Sequence, residues 1–389
     1  MRLEATKQPT RAGTAAARHL LGRLIQLIAA VVVALAGAEV TSRIIDIVRY
    51  GTPLLGTPEL RRDLIVTDSF GTHGRPFGRY KGYRLNGAGF RGPDAAPYPP
   101  PGCVRIVVLG ASETFGSPDE PTYPELLADS LRRDGCYEVL NAAVVGLVLP
   151  GILRLWDGWA WRFHPHLVIV YPSPAFYLAD RTPDFPKPAV TGSRGAGSSP
   201  GAPRFDSRFV DKLRDRFEMP GIVQRWRVRR WLGDAVRDRD STWFFRTPPV
   251  DRLDAFQHHL DSLVTLIRAR GAEPVLVTHA MRFSDPPRAE DHDLLLAWRR
   301  YAPRATEEAL LGFERAAADR VREVARSRHV PLIDAAAALN GTPGLFTDFV
   351  HFMPEGAGRL AGMLAGQIRG LRRPEGAPRA AARPAAQNW

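Results

Sequence analysis

The sequence predicts an α/β fold, a doubly wound parallel sheet with helices on its faces. Three observations predict it. Glu273–Thr278 gives a strand, and short apolar runs recur at Ile106–Leu109 and Leu167–Tyr171. Such runs read as strands buried on both faces. Long amphipathic stretches, Asp251–Arg270 and Thr306–Arg328, alternate with short strands in the second half. The first strand breaks into Gly110-Ala111-Ser112, small residues at the edge where open parallel sheets place their reactive groups.

The 389 residues, 44% hydrophobic, suffice for one large core or two modest ones. The 53 basic and 41 acidic side chains leave a formal charge of +12. Most of the excess is arginine spread along the chain, without a nucleic-acid motif. It reads as a solvated basic surface suited to nearby anionic lipid or polysaccharide, and nucleic acid is not expected as a partner.

Residues 1–49 form the first segment. Arg2, Lys7, Arg11, Arg18 and Arg23 make a basic flank, with Glu4 the only acid before Leu24. Leu24–Ala38 then carries no charge. This is the layout of an export signal or an N-terminal anchor. The run is short for a span, but Leu20 and Leu21 extend it if Arg23 snorkels, and apolar residues resume at Val40, Ile44, Ile45, Ile47 and Val48. An uncleaved anchor over residues 20–48 is the favoured reading. Cleavage near Ala34-Leu35-Ala36 and a buried soluble helix are the alternatives. With an anchor or a signal, the flank stays cytoplasmic and residues from 50 onward are exported. The expected location is therefore the inner membrane, single-pass, with the main domain periplasmic or otherwise extracytoplasmic.

Residues 50–102, rich in Gly, Pro and Arg, read as a connecting segment. Tyr83–Asn86 and Gly89–Gly92 are short ordered pieces expected along the edge of the main domain. Pro97–Pro101, broken only at Tyr98, is a stiff approach to the first strand. Cys103 precedes that strand and Cys136 the next, Tyr137–Leu140. Strands that are parallel neighbours would bring both cysteines to one edge, as a disulfide in an oxidising compartment or as two free thiols.

The main domain is expected over residues 103–371. After the first strand, Thr122 and Glu125 have capping-box spacing, and Leu126, Leu127 and Leu131 give the helix an apolar face. The second strand breaks into Asn141–Gly146. That pattern suits a backbone N–H facing a ligand, or an ordinary loop glycine. Ile152–Phe163 is helical, and its three tryptophans read as core. The third strand runs into Pro172-Ser173-Pro174. Residues 182–250 read as an insertion. Its Pro/Gly/Ser-rich part, 182–206, is expected to be disordered, and Arg208–Arg246 to be helical. Gln224–Trp231 interleaves tryptophan and arginine, as a solvated amphipathic helix or as a contact with membrane or acidic glycan. In the helix that follows, Leu253, Phe256, Leu260, Leu263, Val264 and Ile267 share one face. His279 ends the next strand and reads as structural rather than site-facing. Val330–Ile333 is a short last strand. Residues 372–389, rich in Pro, Ala and Arg, form a tail expected to be disordered.

The chemistry lies in three residues. Ser112 follows the first strand. Asp348 and His351 stand three apart, just before a helix opened by Pro354 and carrying Leu360, Met363, Leu364 and Ile368 toward the sheet. A carboxylate three residues before an imidazole can fold back on it within one turn. That fixes the tautomer and leaves the second ring nitrogen for a serine proton. The order Ser, Asp, His is one of those found among serine triads.

These residues resemble the SGNH/GDSL-type serine hydrolases of the bacterial, membrane-anchored kind. Gly110-Ala111-Ser112 with Thr114-Phe115-Gly116 is similar to the family's first block, Asn141–Gly146 to its second, and Asp348 with His351 to its fifth. His166–Tyr171 resembles the strand leading into the third, Gly356/Gly358 the helix start after the fifth, and Tyr83–Gly92 a stretch preceding the domain. The resemblance covers about residues 80–180 and 250–370. It implies a flavodoxin-like three-layer α/β/α sandwich and ester chemistry, with no metal or organic cofactor. Ser112 would be the nucleophile, His351 the base and then acid, and Asp348 its orienter. The N–H groups of Ser112 and Gly146 would form the oxyanion hole. The family's third-block asparagine, a further donor, is missing: Ala175 stands near its place, with Ser173 or Tyr177 as candidate substitutes. Ala111 replaces the aspartate of the GDS form. The implied function is an exported esterase acting on O-acyl groups, acetyl foremost, of acylated carbohydrate or small esters. The alternatives are an O-acetyltransferase of envelope or extracellular polysaccharide using the same triad, and a non-catalytic glycan-binding scaffold.

Overall fold

The computed structural model describes residues 11–50, 54, 63–179, 207–209, 221–237 and 239–371. The expectations for 182–206, for 210–220 and for the tail lie outside them. Two compact units divide the chain: Met1–Pro58 with Gly197–Glu218, and Glu59–Ala196 with Met219–Trp389.

The larger unit holds the sheet. Its strands are β1 (Val104–Gly110), β2 (Tyr137–Asn141), β3 (Leu167–Tyr171), β4 (Glu273–Val277) and β5 (Leu332–Ile333), in the order β2-β1-β3-β4-β5, all parallel. This is the flavodoxin-like order, and its direction reverses between β1 and β3. All seven residues of β1, Arg105 among them, and all five of β3 are buried, as strands inside a parallel sheet are.

Alternate residues of β1 enter two cores. Ile106 and Val108 pack with helix α1 (Tyr123–Leu131) and helix α5 (Pro354–Gly370). Val107 and Leu109 pack with α2 (Leu149–Gly158), α3 (Val250–Ala269) and α4 (Glu307–Ser327) on the other face. The result is a three-layer α/β/α sandwich. Local signals set the helices. Thr122 and Glu125 close the capping box of α1, and Thr306 caps α4. Pro354 opens α5. All six apolar residues expected on α3 are buried. Leu360, Leu364 and Ile368 of α5 are buried, and Met363 packs at the edge of the same core.

The segment before β1 is more structured than a connector. Ile65–Asp68 pairs antiparallel with Gly71–Gly74, and Arg79–Tyr80 with Tyr83–Arg84. His73 stacks on Trp159 at 5.1 Å. The Arg91 N–H donates to the carbonyl of Asn141 on edge strand β2, 3.1 Å away. Turn hydrogen bonds and ring contacts order this segment. Neither leaves an apolar periodicity in the sequence.

Arg105, the second residue of β1, is fully buried. Its guanidinium donates to Glu138 and to the carbonyls of Ala96, Pro97, Tyr98 and Phe163. The proline run is thereby tied to the sheet. Cys103 and Cys136 form a disulfide, with their Cα atoms 4.5 Å apart before β1 and β2.

The insertion helix Gly221–Val236 buries Leu232, leaves Trp226 and Trp231 exposed, and pairs Arg225 with Asp293 at 3.0 Å.

In the smaller unit, helix Arg11–Tyr50 contains Gly22–Val48, long and apolar enough to cross a membrane by length and composition. A signal sequence meets the same description. Leu24, Ile28, Val31 and Leu35 are exposed. Toward its carboxyl end the same segment turns polar: Glu39 accepts hydrogen bonds from Arg43, from the Ser207 hydroxyl and from the N–H of Phe209.

Candidate active site

Strand β1 delivers Ser112. The chain turns sharply at Gly110, where a Cβ would lie 2.2 Å from Thr114 Oγ1. Ala111 is fully buried, and Ser112 opens a one-turn helix, Ser112–Phe115. Asn141, ending β2, holds the neighbouring loop to this turn. Its side chain donates to the Thr114 carbonyl at 2.9 Å and accepts from the Ala143 N–H. The loop ends at Gly146, whose φ of 76° lies in the left-handed region that favours glycine. Among the described residues, the N–H groups of Ser112 and Gly146 make no hydrogen bond.

The other half comes from the turn before α5. Asp348 Oδ1 accepts the N–H groups of Val350 and His351, each at 3.0 Å. Asp348 Oδ2 accepts from His351 Nδ1 at 2.7 Å. Burial raises the carboxyl of Asp348, but the His351 ring and these N–H groups outweigh it and lower its pKa. Burial lowers His351, but Asp348 and then Glu113 outweigh that and raise it. A carboxylate cannot donate, so Nδ1 carries the proton. Nε2 is left without a hydrogen bond among the described residues.

Ser112, Gly146, Ser173 and His351 line one cavity of about 360 Å³. A second, of about 400 Å³, meets it at Ser112 and His351 and is lined by Asp348, Ser117, Glu120 and Thr347. Among the described residues, Ser112 Oγ makes only a long 3.5 Å contact, to Glu113 Oε2, and is not bonded to His351. Such contacts are often long in unliganded sites and tighten around substrate.

Beneath Ser112 lies a buried polar cluster. His279 donates from Nδ1 to Glu314 at 2.7 Å and from Nε2 to Glu113 at 3.4 Å. Burial pulls the His279 pKa down, but Glu314 and Glu113 outweigh it and push it up to about 10. Glu113 is lowered: burial raises it, and its bond to His279 overcomes that. His279, read from the sequence as structural rather than site-facing, in fact lines the cavity with Ser112 and His351, because β4 ends beside β3 at the same edge of the sheet. Sequence reasoning missed both glutamates. Glu314 carried a signal, because it falls in the stripe Leu310, Phe313, Ala317, Val321 that α4 buries. Glu113 carried none.

Neither candidate substitute, Ser173 or Tyr177, nor the Ala175 N–H offers a free proton to the cavity. The Ser173 hydroxyl donates to Glu113 at 3.0 Å, and the Ala175 N–H to Glu314 at 2.9 Å. The Tyr177 hydroxyl pairs with His259 Nδ1 at 2.7 Å, away from the cavity lining. Among the described residues, no group of three or more His, Cys, Asp or Glu side chains is arranged to hold a metal ion.

The fold and site define a class: a parallel α/β domain that places a serine at the end of β1 in one cavity with an aspartate-paired histidine. No family model and no curated protein matches the chain. Among solved structures it is similar to the lipase/acylhydrolase from Enterococcus faecalis, with 16% identity and a TM-score of 0.40 over 69% of this chain and 96% of that one. It is also similar to a catalytic mutant of an acetylxylan esterase from Geobacillus stearothermophilus, at 13% identity and TM-score 0.39, over 68% and 94% of the two chains. A structure from Desulfitobacterium hafniense DCB-2, assigned to the G-D-S-L family of lipolytic proteins, gives 13%, 0.38, 68% and 99%.

Proposed function

We propose that this chain is a membrane-anchored serine esterase that hydrolyses O-acyl esters outside the cytoplasm. One observation carries the reading: an aspartate-paired imidazole, 2.7 Å from its carboxylate, shares a cavity with the serine at the carboxyl end of β1. Ser112 Oγ attacks the acyl carbon while His351 Nε2 takes the hydroxyl proton, and Asp348 stabilises the imidazolium. The N–H groups of Ser112 and Gly146 receive the oxyanion. Collapse expels the alcohol, protonated by His351, and leaves an acyl-serine. Water attacks the acyl-serine, giving its proton to His351. The acid departs and Ser112 recovers its proton.

Export is supported by two features. Gly22–Val48 follows a basic flank, as an uncleaved anchor does. The Cys103–Cys136 disulfide belongs to an oxidising compartment.

The test is ester hydrolysis by the detergent-solubilised full chain. p-Nitrophenyl acetate should be cleaved, and Ser112→Ala should lower kcat by at least about 10³-fold. A fluorophosphonate probe should label the native protein and spare that variant. Equal rates in both would refute the reading.

A further inference from the structure

We infer that the aromatic end of the Ser112 cavity is an acyl-chain subsite for groups of about six to ten carbons, so that acetate is not the preferred acyl group. The inference rests on the serine-esterase reading above and names the substrate class of that site.

Size is the first argument. The cavity measures about 360 Å³. An apolar cavity of about 150 Å³ takes up benzene, so this space accommodates roughly a dozen carbons. An acetyl group would leave most of it empty or wet.

The walls are the second. Its aromatic and apolar lining includes Phe176, Trp298, Tyr301, Ala302 and Phe349. Trp298 stacks on Phe349 at 5.3 Å and on Phe283 at 5.7 Å, so three rings brace one wall. Trp298 and Ala302 are buried.

Polar accounting is the third. Glu113, His279 and Ser173 are bonded within their own cluster, and the Tyr301 hydroxyl accepts from Arg300 at 3.2 Å. A sugar ring seated here would lose water from its hydroxyls and find few partners, which is costly. A hydrocarbon chain loses nothing. The adjoining cavity presents Ser117, Glu120 and Thr347, polar side chains suited to the alcohol half of the ester. The acyl carbon would sit between the two cavities, where Ser112 and His351 line both.

The experiment is a chain-length series with the full-length protein: p-nitrophenyl acetate, butyrate, hexanoate, octanoate and dodecanoate. Each methylene transferred to an apolar site is worth about fourfold in affinity. kcat/KM should rise by about that factor per methylene to hexanoate or octanoate, then level or fall at dodecanoate. Ala302→Leu, which narrows the cavity, should cut the octanoate-to-acetate ratio by about tenfold or more. Tyr301→Ala, at a more exposed wall position, should lower the same ratio if the first variant does not fold. A series that peaks at acetate and falls with each methylene, in an enzyme inactivated by Ser112→Ala, would overturn the subsite and leave the esterase reading standing. Absence of Ser112-dependent hydrolysis of every ester would overturn both.

Discussion

Glu314 and His279 form an ion pair 2.7 Å long, with side chains 1% and 2% exposed. The same carboxylate accepts the Ala175 N–H through its other oxygen. It therefore holds both the floor and one wall of the cavity. Removing one partner of a buried pair strands the other and costs about 3–5 kcal/mol. Glu314→Ala should lose that much stability in urea unfolding. Glu314→Gln, which keeps an acceptor for Ala175, should lose less.

The cluster also makes stability depend on pH. His279 is raised from 6.5 to about 10, so the folded chain holds a proton that the unfolded chain releases between those values. Its contribution is complete below about 6.5 and is lost as pH climbs toward about 10. Glu113 is lowered from 4.5, so its contribution is present above that value and fades as pH falls through its folded pKa. Tm measured across pH should plateau in mildly acidic solution and decline on both sides. His279→Gln should flatten the alkaline decline.

Catalysis should titrate with His351. Only the neutral ring accepts the Ser112 proton, and Asp348 raises the ring's pKa above 6.5 despite burial. The kcat/KM profile should therefore rise with pH through a midpoint above that value. Asp348→Asn should move the midpoint down and reduce kcat on the order of 10⁴-fold. Glu113→Gln should move it down by less, since Glu113 is the smaller influence.

Arg105 secures the approach to β1. It is fully buried and donates to Glu138 and four carbonyl oxygens. Arg105→Met should cost about 3–5 kcal/mol by chemical denaturation. Arg105→Lys should not rescue it, because an ammonium cannot reproduce the planar fork.

The disulfide closes a loop with a sequence separation of 33. Constraint of the unfolded chain predicts about 3–4 kcal/mol from such a closure. The Cys103→Ser, Cys136→Ser double variant should show that loss in urea unfolding, as should the native protein under reductant.

The frame was largely legible in the sequence. Apolar runs mark β1 and β3, the Thr122–Glu125 box marks α1, and the Asp348–His351 spacing marks a pair that closes within one turn. Each signal is written in a few adjacent residues, where backbone geometry and periodicity act directly. The Ser, Asp, His order is likewise a property of the chain itself, independent of any contact.

Tertiary structure decided the rest. Glu113, His279 and Glu314 come from three separate stretches of chain and meet only because β1, β4 and α4 pack together. A lone glutamate in a helix reads as solvated until a partner across the core outweighs its desolvation. The aromatic wall formed by Phe283, Trp298 and Phe349 likewise joins residues far apart in the chain. Composition and periodicity act along the chain, whereas a buried charge or a cavity wall depends on what packing brings opposite it.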